Sequence, residues 1–348
     1  MVTRKQHLIS RLSNKCNFLY IEPYKTGEKI NFNKKSSNIT IYTIPTFKLG
    51  SKFLKILFST FILRIIIFSV QKLYLNLFIK KNIDLQVISN PSFIQLVDNK
   101  YPTIWDYNDN PFQFAKPSKW LLELYQNFLY KHTQMIWASS RQLKTKIHKS
   151  KYEKNIIYIP NGVDVNHFKN INKEKGNKFI IGYVGIISSW FFDFELIKTI
   201  SENFPNIIIK LIGPKDPLAT KQIQELYKFE NIEVKDKVDY KVLPEIISSF
   251  NIGIIPLKQS KNVYQLNSAK FLQYLAIGIP IVSVPFIEFK QFQNNTFFCN
   301  SNKEFINSIK FIIQNKIKIN RNNINIDSFN WDEISQKALS SINSLIGK

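Results

Sequence analysis

Short apolar runs alternate along the chain with longer segments in which apolar residues recur every three or four positions. The short runs predict strands and the longer segments predict helices, and their alternation is typical of βαβ units around a parallel sheet. The strands predicted in the first half are Cys16–Ile21, Ile39–Ile44, Leu85–Ile88, Thr103–Tyr107, Met135–Ala138 and Ile156–Ile159. Those predicted in the second half are Phe179–Val184, Ile207–Ile212, Ile232–Val234, Ile252–Ile255, Ile281–Val284 and Thr296–Cys299.

The predicted helices separate these strands: Ser118–Lys131, Asp193–Asn203, Ala219–Tyr227, Leu243–Phe250, Ala269–Ala276, Lys303–Asn315 and Trp331–Ile346. A further helix is predicted to begin near Ser139 and Ser140, because serine is a good N-cap. We therefore predict an α/β fold with two Rossmann-like lobes whose parallel sheets face a cleft. The predicted lobes are residues 1–165 and 166–328, and residues 329–348 form a C-terminal helix that packs back toward the first lobe.

Residues 53–78 form the most strongly apolar segment of the chain. Its length suits a membrane-spanning helix, but Lys55, Arg64 and Lys72 interrupt it, and an arginine near the centre costs about 2.5–3.5 kcal/mol on insertion. Two interpretations stay open: helices packed within the first lobe, or a segment lying at a membrane interface. The first is favoured, because the polar positions do not collect on one helical face.

The net charge of +23 favours an anionic partner, such as a phosphorylated substrate or an anionic membrane surface. Lysine is abundant throughout, so a general compositional bias is the competing explanation. We do not expect nucleic-acid binding, because no run of five or six basic residues and no aromatic-basic motif of the RNP type is present. The chain has only two cysteines, Cys16 and Cys299, and therefore no disulfide framework. Its opening residues lack the apolar stretch of a signal peptide. A cytoplasmic location is therefore expected, and peripheral contact at the inner face of the membrane is left open. The four histidines show no metal-ligand spacing, and no metal site is expected.

The segment Asn267–Ser283 combines a polar turn, a short helix that ends at Gly278 and an apolar strand. The start of such a helix presents unpaired backbone N–H groups, and its dipole favours a phosphate. Asn267, Ser268 and Ala269 would supply these N–H groups, and Lys270 would add a positive charge. A solvated lysine is the alternative interpretation of Lys270.

This segment, NSAKFLQYLAIGIPIVS, resembles the signature of group-1, GT4-like glycosyltransferases of the GT-B fold, which reads NP-x-K-x-x-E-Y-L-A-x-G-x-P-V-V. Further fragments that resemble the family occur in the order expected of it: IPNGVD, GYVGIISSWFFDFELI, KLIGP and NIEVKDKVDYKVLPEIISSFNIGIIPL. In the first half, the matching fragments are YIEP, IWDYNDNPFQF and WASSRQL. The resemblance extends to enzymes that build exopolysaccharides or teichuronic acid.

The resemblance implies a nucleotide-sugar donor, UDP- or GDP-linked, as co-substrate, with no other cofactor. Gly185 would let the backbone approach the diphosphate, although an ordinary tight turn explains this glycine equally well. Lys270 would stabilise the charge that develops on the leaving phosphate. Backbone groups near Val238 and Tyr240 would contact the base.

The family carries two acidic residues eight positions apart, which address the donor sugar and the ribose. At these two positions this chain has Gln265 and Gln273. An amide can still hydrogen-bond hydroxyl groups but lacks a carboxylate's charge. The two glutamines leave three outcomes open: weaker donor binding, a changed donor preference, or loss of activity.

Acceptor contacts would come from the first lobe, where Asp106 and Asp109 are expected just past the end of a strand. There they could bind sugar hydroxyls or assist proton transfer, although aspartates after strands are often turn-formers. The family's usual first strand has no counterpart before the segment at residues 4–12. We therefore expect either that this lobe lacks that strand or that the start of the reading frame is missing from the given sequence.

The expected function is therefore transfer of a sugar to a glycan or lipid-linked acceptor in cell-surface polysaccharide synthesis. The resemblance implies a retaining hexosyltransferase-type reaction without a metal. A nucleotide-sugar epimerase on the same fold is one alternative, although no histidine falls within the motifs of the second lobe. A catalytically impaired binding or assembly protein is another, and the two glutamines favour it.

Overall fold

A computed structural model of the chain describes residues 3–23, 34–36, 38–44, 69–75, 77, 83–90, 96–108, 119–148, 155–169, 171, 176, 178–260 and 267–347. The chain divides into two compact units. The first, called here the Lys270 unit, comprises Met1–Arg4, Ser139–Leu143 and Tyr158–Gln336. The second, the Asp106 unit, comprises Lys5–Ala138, Lys144–Ile157 and Lys337–Lys348. The change of unit after Ile157 lies several residues before the predicted boundary at 165.

The Lys270 unit is built on a six-stranded parallel sheet. Its strands are β8 (Ile180–Val184), β9 (Ile208–Ile212), β10 (Ile232–Lys235), β11 (Ile252–Ile255), β12 (Ile281–Ser283) and β13 (Thr296–Phe298). Their spatial order is β10-β9-β8-β11-β12-β13. Counted from β8 this is 3-2-1-4-5-6, the order of a Rossmann sheet, in which the strand order reverses between the first and fourth strands.

Helices connect these strands, and the sheet is buried on both faces. The helices of the unit include Arg141–His148, Val165–Lys169, Phe194–Asn203, Thr220–Leu226, Leu243–Ser248, Ala269–Ile277, Asn302–Gln314 and Trp331–Ile346, the first and last of which continue into the other unit. Alternate residues of β8 enter different cores: Tyr183 packs in one cluster and Val184 in the other. Because a parallel sheet covered on both faces needs apolar residues at every position, its strands form continuous isoleucine-rich runs.

The Asp106 unit contains a three-stranded and a four-stranded sheet. The first has the order β1-β3-β2, with β1 (Phe18–Pro23) parallel and β2 (Lys34–Ser36) antiparallel to β3 (Ile39–Ile44). The second has the order β4 (Gln86–Ile88), β5 (Thr103–Tyr107), β6 (Met135–Ala138) and β7 (Asn155–Tyr158). The helices Arg4–Leu12 and Lys119–His132 accompany them.

The predicted strands and helices match the structure to within about two residues wherever both are described. The prediction missed the helices Arg4–Leu12 and Val165–Lys169, the edge strand β2 and the 3-10 segment Ile287–Asn295. Most of the apolar segment 53–78 lies outside the described residues, so its two interpretations stay predictions. Within the part of the chain that the structure describes, no helix is both long enough and apolar enough to cross a membrane.

Candidate functional site: a cationic helix start at the switch point of the sheet

The candidate site lies where the strand order of the six-stranded sheet reverses. β8 ends at Val184 and is followed by the turn at Gly185. The helix Ala269–Ile277, called here the Lys270 helix, connects β11 to β12, so it begins at the carboxyl end of β11. In open α/β sheets, ligands bind outside the carboxyl ends of the strands at such a reversal.

The Lys270 helix begins without a side-chain cap. Ser268 is the N-cap residue and has extended backbone, but its hydroxyl makes no capping hydrogen bond. At the other end, Gly278 adopts the left-handed conformation with φ 77° and donates its N–H to the carbonyls of Tyr274 and Leu275. The carbonyl end is therefore satisfied internally, while the N–H end and the positive end of the dipole stay available to a ligand.

Three buried side-chain oxygens belong to residues just before this helix and in its first two turns. Asn267 Oδ1, Ser268 Oγ and Gln273 Oε1 have no hydrogen-bond partner among the described residues. A buried polar atom that is left unpaired costs about 1–3 kcal/mol, and such atoms in native structures call for an explanation. All three oxygens can accept hydrogen bonds, so hydrogen-bond donors of a ligand would satisfy them.

Lys270 packs into the glycine turn that follows β8. A Cβ atom on Gly185 would lie 1.9 Å from Lys270 Cε, so the absence of a side chain at this position makes room for the lysine. Lys270 Nζ lies 5.5 Å from the ring centroid of Tyr183, within the range of a cation–π contact. Removal from water lowers the pKa of Lys270 to about 8. The alternative of a freely solvated lysine does not fit this packing.

No carboxylate of the described residues pairs with Lys270. A partly buried cation without a counter-charge is unfavourable unless a ligand supplies one. The lysine is still largely protonated at neutral pH, since its pKa is about 8. The helix start therefore combines backbone N–H groups, a helix dipole and an unbalanced ammonium, which together favour an anion.

Gly213 supports the same turn from the neighbouring strand, a role that the sequence reasoning did not assign to it. Gly185 N donates to Ile212 O over 2.9 Å. A Cβ atom on Gly213 would lie 1.9 Å from Gly185 O. The two turns therefore pack backbone against backbone, and the glycine directly after β9 was the available signal in the sequence.

Val238 and Tyr240 lie beside the same strand ends. They help to line a hollow of about 20 Å³, together with Val184, Ile212, Gly213, Pro214, Lys237 and Leu243. His167 stacks on the ring of Tyr240 at 4.8 Å, and its Nε2 lies 3.0 Å from the Tyr240 carbonyl. The hollow holds about one water molecule, and the predicted base contact at Val238 and Tyr240 stays a prediction.

The structure thus brings together eight of the predicted residues within the Lys270 unit: Gly185, Val238, Tyr240, Asn267, Ser268, Ala269, Lys270 and Gln273. Gln265 and Asp109 lie outside the described residues. Asp106 lies inside β5 and is 2% exposed, which corrects the expectation that it follows the strand end. Its predicted part in acceptor binding stays a prediction. Over the described ranges, no group of three histidine, cysteine, aspartate or glutamate side chains is placed to hold a metal ion.

The six-stranded sheet with Rossmann strand order, together with the helix start at its switch point, defines the class of fold: an open, doubly wound α/β fold. Comparison with solved structures identifies the fold as GT-B. HepE of Anabaena, solved in complex with UDP and glucose, superposes with a TM-score of 0.61 at 14% identity, over 89% of this chain and 86% of that one. Sucrose-phosphate synthase of Thermosynechococcus elongatus gives a TM-score of 0.65 at 13% identity, over 99% of this chain and 90% of that one.

A third GT-B structure, an E. coli protein of trehalose-6-phosphate synthesis bound to UDP-2-fluoro glucose, gives a TM-score of 0.63 at 10% identity, over 99% and 94% of the two chains. Among curated proteins, the chain is 27% identical over 132 residues to TuaH of Bacillus subtilis, named for a glycosyltransferase role in teichuronic acid biosynthesis. That match covers 36% of this chain and 33% of TuaH, so the chain spans about a third of that relative's length. No protein-family model matches. These findings confirm the predicted GT-B fold and the resemblance to GT-B glycosyltransferases.

Proposed function

We propose that this protein is a glycosyltransferase that moves a sugar from a nucleotide diphosphate donor, UDP- or GDP-linked, to a hydroxyl group of a glycan or lipid-linked acceptor. The observation that carries the proposal is the unbalanced ammonium of Lys270 at an uncapped helix start. This site lies at the switch point of a sheet whose fold is shared with HepE, which was solved with UDP and with UDP-glucose.

The diphosphate is the part of the donor that this site fits best. The N–H groups at Ser268 and Ala269 and the positive end of the helix dipole would hold its oxygens. Lys270 would supply the counter-charge as the sugar–phosphate bond breaks and negative charge collects on the leaving oxygen. Gly185 and Gly213 would support the site indirectly, because the absence of their side chains lets Lys270 and the two turns pack closely beside the helix start.

The hydroxyl groups of the donor account for the unpaired oxygens. Gln273 Oε1 would accept a hydrogen bond from a ribose hydroxyl, and Asn267 Oδ1 and Ser268 Oγ would accept from hydroxyls nearer the diphosphate. A glutamine acceptor is neutral, so the hydrogen bond is weaker than one to a carboxylate. We propose that binding is retained and that Gln273 shifts donor preference rather than removing activity.

The finer parts of the proposal are a retaining reaction, independence of a metal and a role in cell-surface polysaccharide synthesis. In a retaining reaction the leaving phosphate oxygen can itself take the proton of the acceptor hydroxyl, so no protein base is required. The partial match to TuaH supports the polysaccharide role. The charge of +23 supports work close to an anionic membrane surface, at the cytoplasmic side.

Incubation with a panel of UDP- and GDP-sugars tests the proposal. The purified protein is expected to release the nucleoside diphosphate from at least one donor, both with and without EDTA, and NMR of the product is expected to show a retained anomeric configuration. Binding of no nucleotide sugar would overturn the proposal. Binding without release or transfer, even with mixed glycan acceptors, would support a catalytically impaired protein instead.

A further inference from the structure

Glu288 is a buried carboxylate of the Lys270 unit whose two hydrogen bonds go to Arg141 and Tyr158. It is 4% exposed and lies in the 3-10 segment after β12. Its Oε2 accepts the backbone N–H of Arg141 over 2.9 Å, and its Oε1 accepts a short hydrogen bond from the Tyr158 hydroxyl. A buried carboxylate is tolerated only when its oxygens are paired, and here both oxygens are used to hold other parts of the chain.

The part of the chain that Glu288 holds is the short segment Ser139–Leu143. Ser139 and Ser140 are 1% and 2% exposed, and Ser140 Oγ accepts the N–H of Leu143 over 3.2 Å, which caps the helix that follows. The guanidinium of Arg141 lies 5.5 Å from the ring centroid of Tyr158. Burial and the neighbouring Glu288 raise the pKa of Tyr158 well above its usual value, so its hydroxyl keeps the proton that it donates.

This segment reaches the turn before the Lys270 helix. Asn267 Nδ2 donates to Ser139 O over 2.9 Å, and Asn161 Nδ2 donates to Asn267 O over 3.1 Å. Both the side chain and the backbone of Asn267 are therefore fixed from outside the helix. With its amide nitrogen engaged by Ser139, the Oδ1 atom of Asn267 stays available as an acceptor.

We propose that Glu288 is a positioning residue for the diphosphate-binding turn. It fixes the backbone of Ser139–Leu143, and Ser139 in turn fixes Asn267 and the start of the Lys270 helix. This inference rests on the proposed function, because it assumes that the turn receives a diphosphate. Preorganised binding groups depend on such supporting hydrogen bonds.

The hydrogen bonds that link Glu288, the segment Ser139–Leu143 and Asn267 would support only the diphosphate end of the donor. The segment around Tyr240, at the proposed base end, is held by His167 through ring stacking and through the contact to the Tyr240 carbonyl, whereas the hydrogen bonds of Glu288 go to Arg141 and Tyr158. Loss of Glu288 is therefore expected to weaken recognition of the phosphates and to leave recognition of the nucleoside unchanged. A role in overall stability alone would affect both equally.

The test compares Glu288→Ala and Glu288→Gln with a control, Glu304→Ala. Glu304 also accepts a backbone N–H through Oε2, from Asn300 over 2.8 Å, but at an exposed helix start. UDP and GDP are titrated into the wild type, and the tighter ligand is carried forward with its nucleoside, uridine or guanosine. All affinities are measured at a temperature at which each variant is fully folded.

We expect Glu288→Ala to weaken diphosphate binding by about tenfold or more, as the loss of supporting partners does at other preorganised sites, with nucleoside binding unchanged. Glu288→Gln should lie between this variant and the wild type, since its one carbonyl oxygen replaces one of the two acceptors. If Glu288→Ala does not fold, Glu288→Gln and Asn161→Ala carry the comparison.

Unchanged diphosphate binding in folded Glu288 variants, or an equal loss for diphosphate and nucleoside, would overturn the inference and leave the proposed function standing. A wild type that binds neither UDP nor GDP would overturn the proposed function and the inference with it. A loss in Glu304→Ala as large as that in Glu288→Ala would also count against a specific role of Glu288.

Discussion

Lys270 holds its positive charge against a glycine turn and an aromatic ring, and no carboxylate of the described residues balances it. This arrangement lowers the free energy of unfolding, because desolvation disfavours the charged form of the lysine. Binding sites often carry such unfavourable groups, since the ligand supplies the missing partner. At the scale of single residues, function and stability are therefore expected to oppose each other at this position.

The first prediction concerns the thermal stability of Lys270→Met, a variant that keeps the length and most of the apolar contacts of the lysine stem. We expect its melting temperature to equal or exceed that of the wild type, because a partly buried charge is removed. The exposed residue Lys310 provides the control, Lys310→Met. Thermal unfolding of both variants without ligand checks the prediction, and a clear drop in the melting temperature of Lys270→Met would show that Lys270 stabilises the fold.

The second prediction concerns pH. The pKa of Lys270 is lowered to about 8 in the folded protein, and a bound diphosphate favours the protonated lysine. The association constant for a nucleoside diphosphate should therefore be nearly constant below pH 8 and should fall by up to roughly tenfold per pH unit above it. Titrations between pH 6.5 and about 9.5 check this. Lys270→Met should lack the decline, and an identical pH profile in both proteins would contradict the assignment.

At the scale of secondary-structure elements, the turns after β8 and β9 work as one feature. The N–H of Gly185 donates to Ile212 O. Gly213 has a φ of 152°, and its backbone packs directly on the carbonyl of Gly185. A side chain at position 213 would meet backbone, which cannot move aside as the end of a flexible side chain can. The shape of the diphosphate-binding turn therefore depends on a residue of the neighbouring strand connection.

The third prediction is that Gly213→Ala lowers the free energy of unfolding by about 1–3 kcal/mol, the usual range for overpacking, and also weakens nucleotide binding. Gly176→Ala is the matched control, because a Cβ atom there meets nothing within 4 Å, and it should change stability by less than about 0.5 kcal/mol. Urea unfolding followed by UDP titration measures both effects. Equal behaviour of the two variants would contradict the packing argument.

The elements themselves were largely predictable from the sequence. Strands such as β11 and β5 are short apolar runs between turn residues, and Gly278 correctly marks the end of the Lys270 helix. The helix Arg4–Leu12 was missed because its sequence, RKQHLISRL, is mostly polar. Asp106 lies within the predicted strand Thr103–Tyr107, but its burial was not predictable, because an aspartate near the end of a strand is more often exposed in a turn.

At the scale of the whole molecule, the order of the motifs along the chain was sufficient to predict the GT-B fold. The position of the candidate site could be predicted for the same reason, since Gly185 directly follows β8 and the Lys270 helix connects β11 to β12 of the same sheet. The binding roles of its residues stay predictions. Glu288 was not predictable: its partner Arg141 lies 147 residues away in sequence, and neither residue stands in a pattern that indicates the contact. The sequence shows that position 273 carries an amide where the family has an acid, but only the structure shows that the Gln273 oxygen is buried and has no partner among the described residues.

The central claim is that the start of the Lys270 helix binds the diphosphate of a nucleotide sugar. Calorimetric titration of UDP and GDP into the wild type and Lys270→Met tests it most directly. We predict saturable binding of one of them to the wild type. The affinity should be about 10- to 100-fold weaker in the variant, since a hydrogen bond to a charged group contributes about 1.5–3 kcal/mol. Equal affinities in the two proteins, or no binding of either nucleotide to the wild type, would contradict the claim.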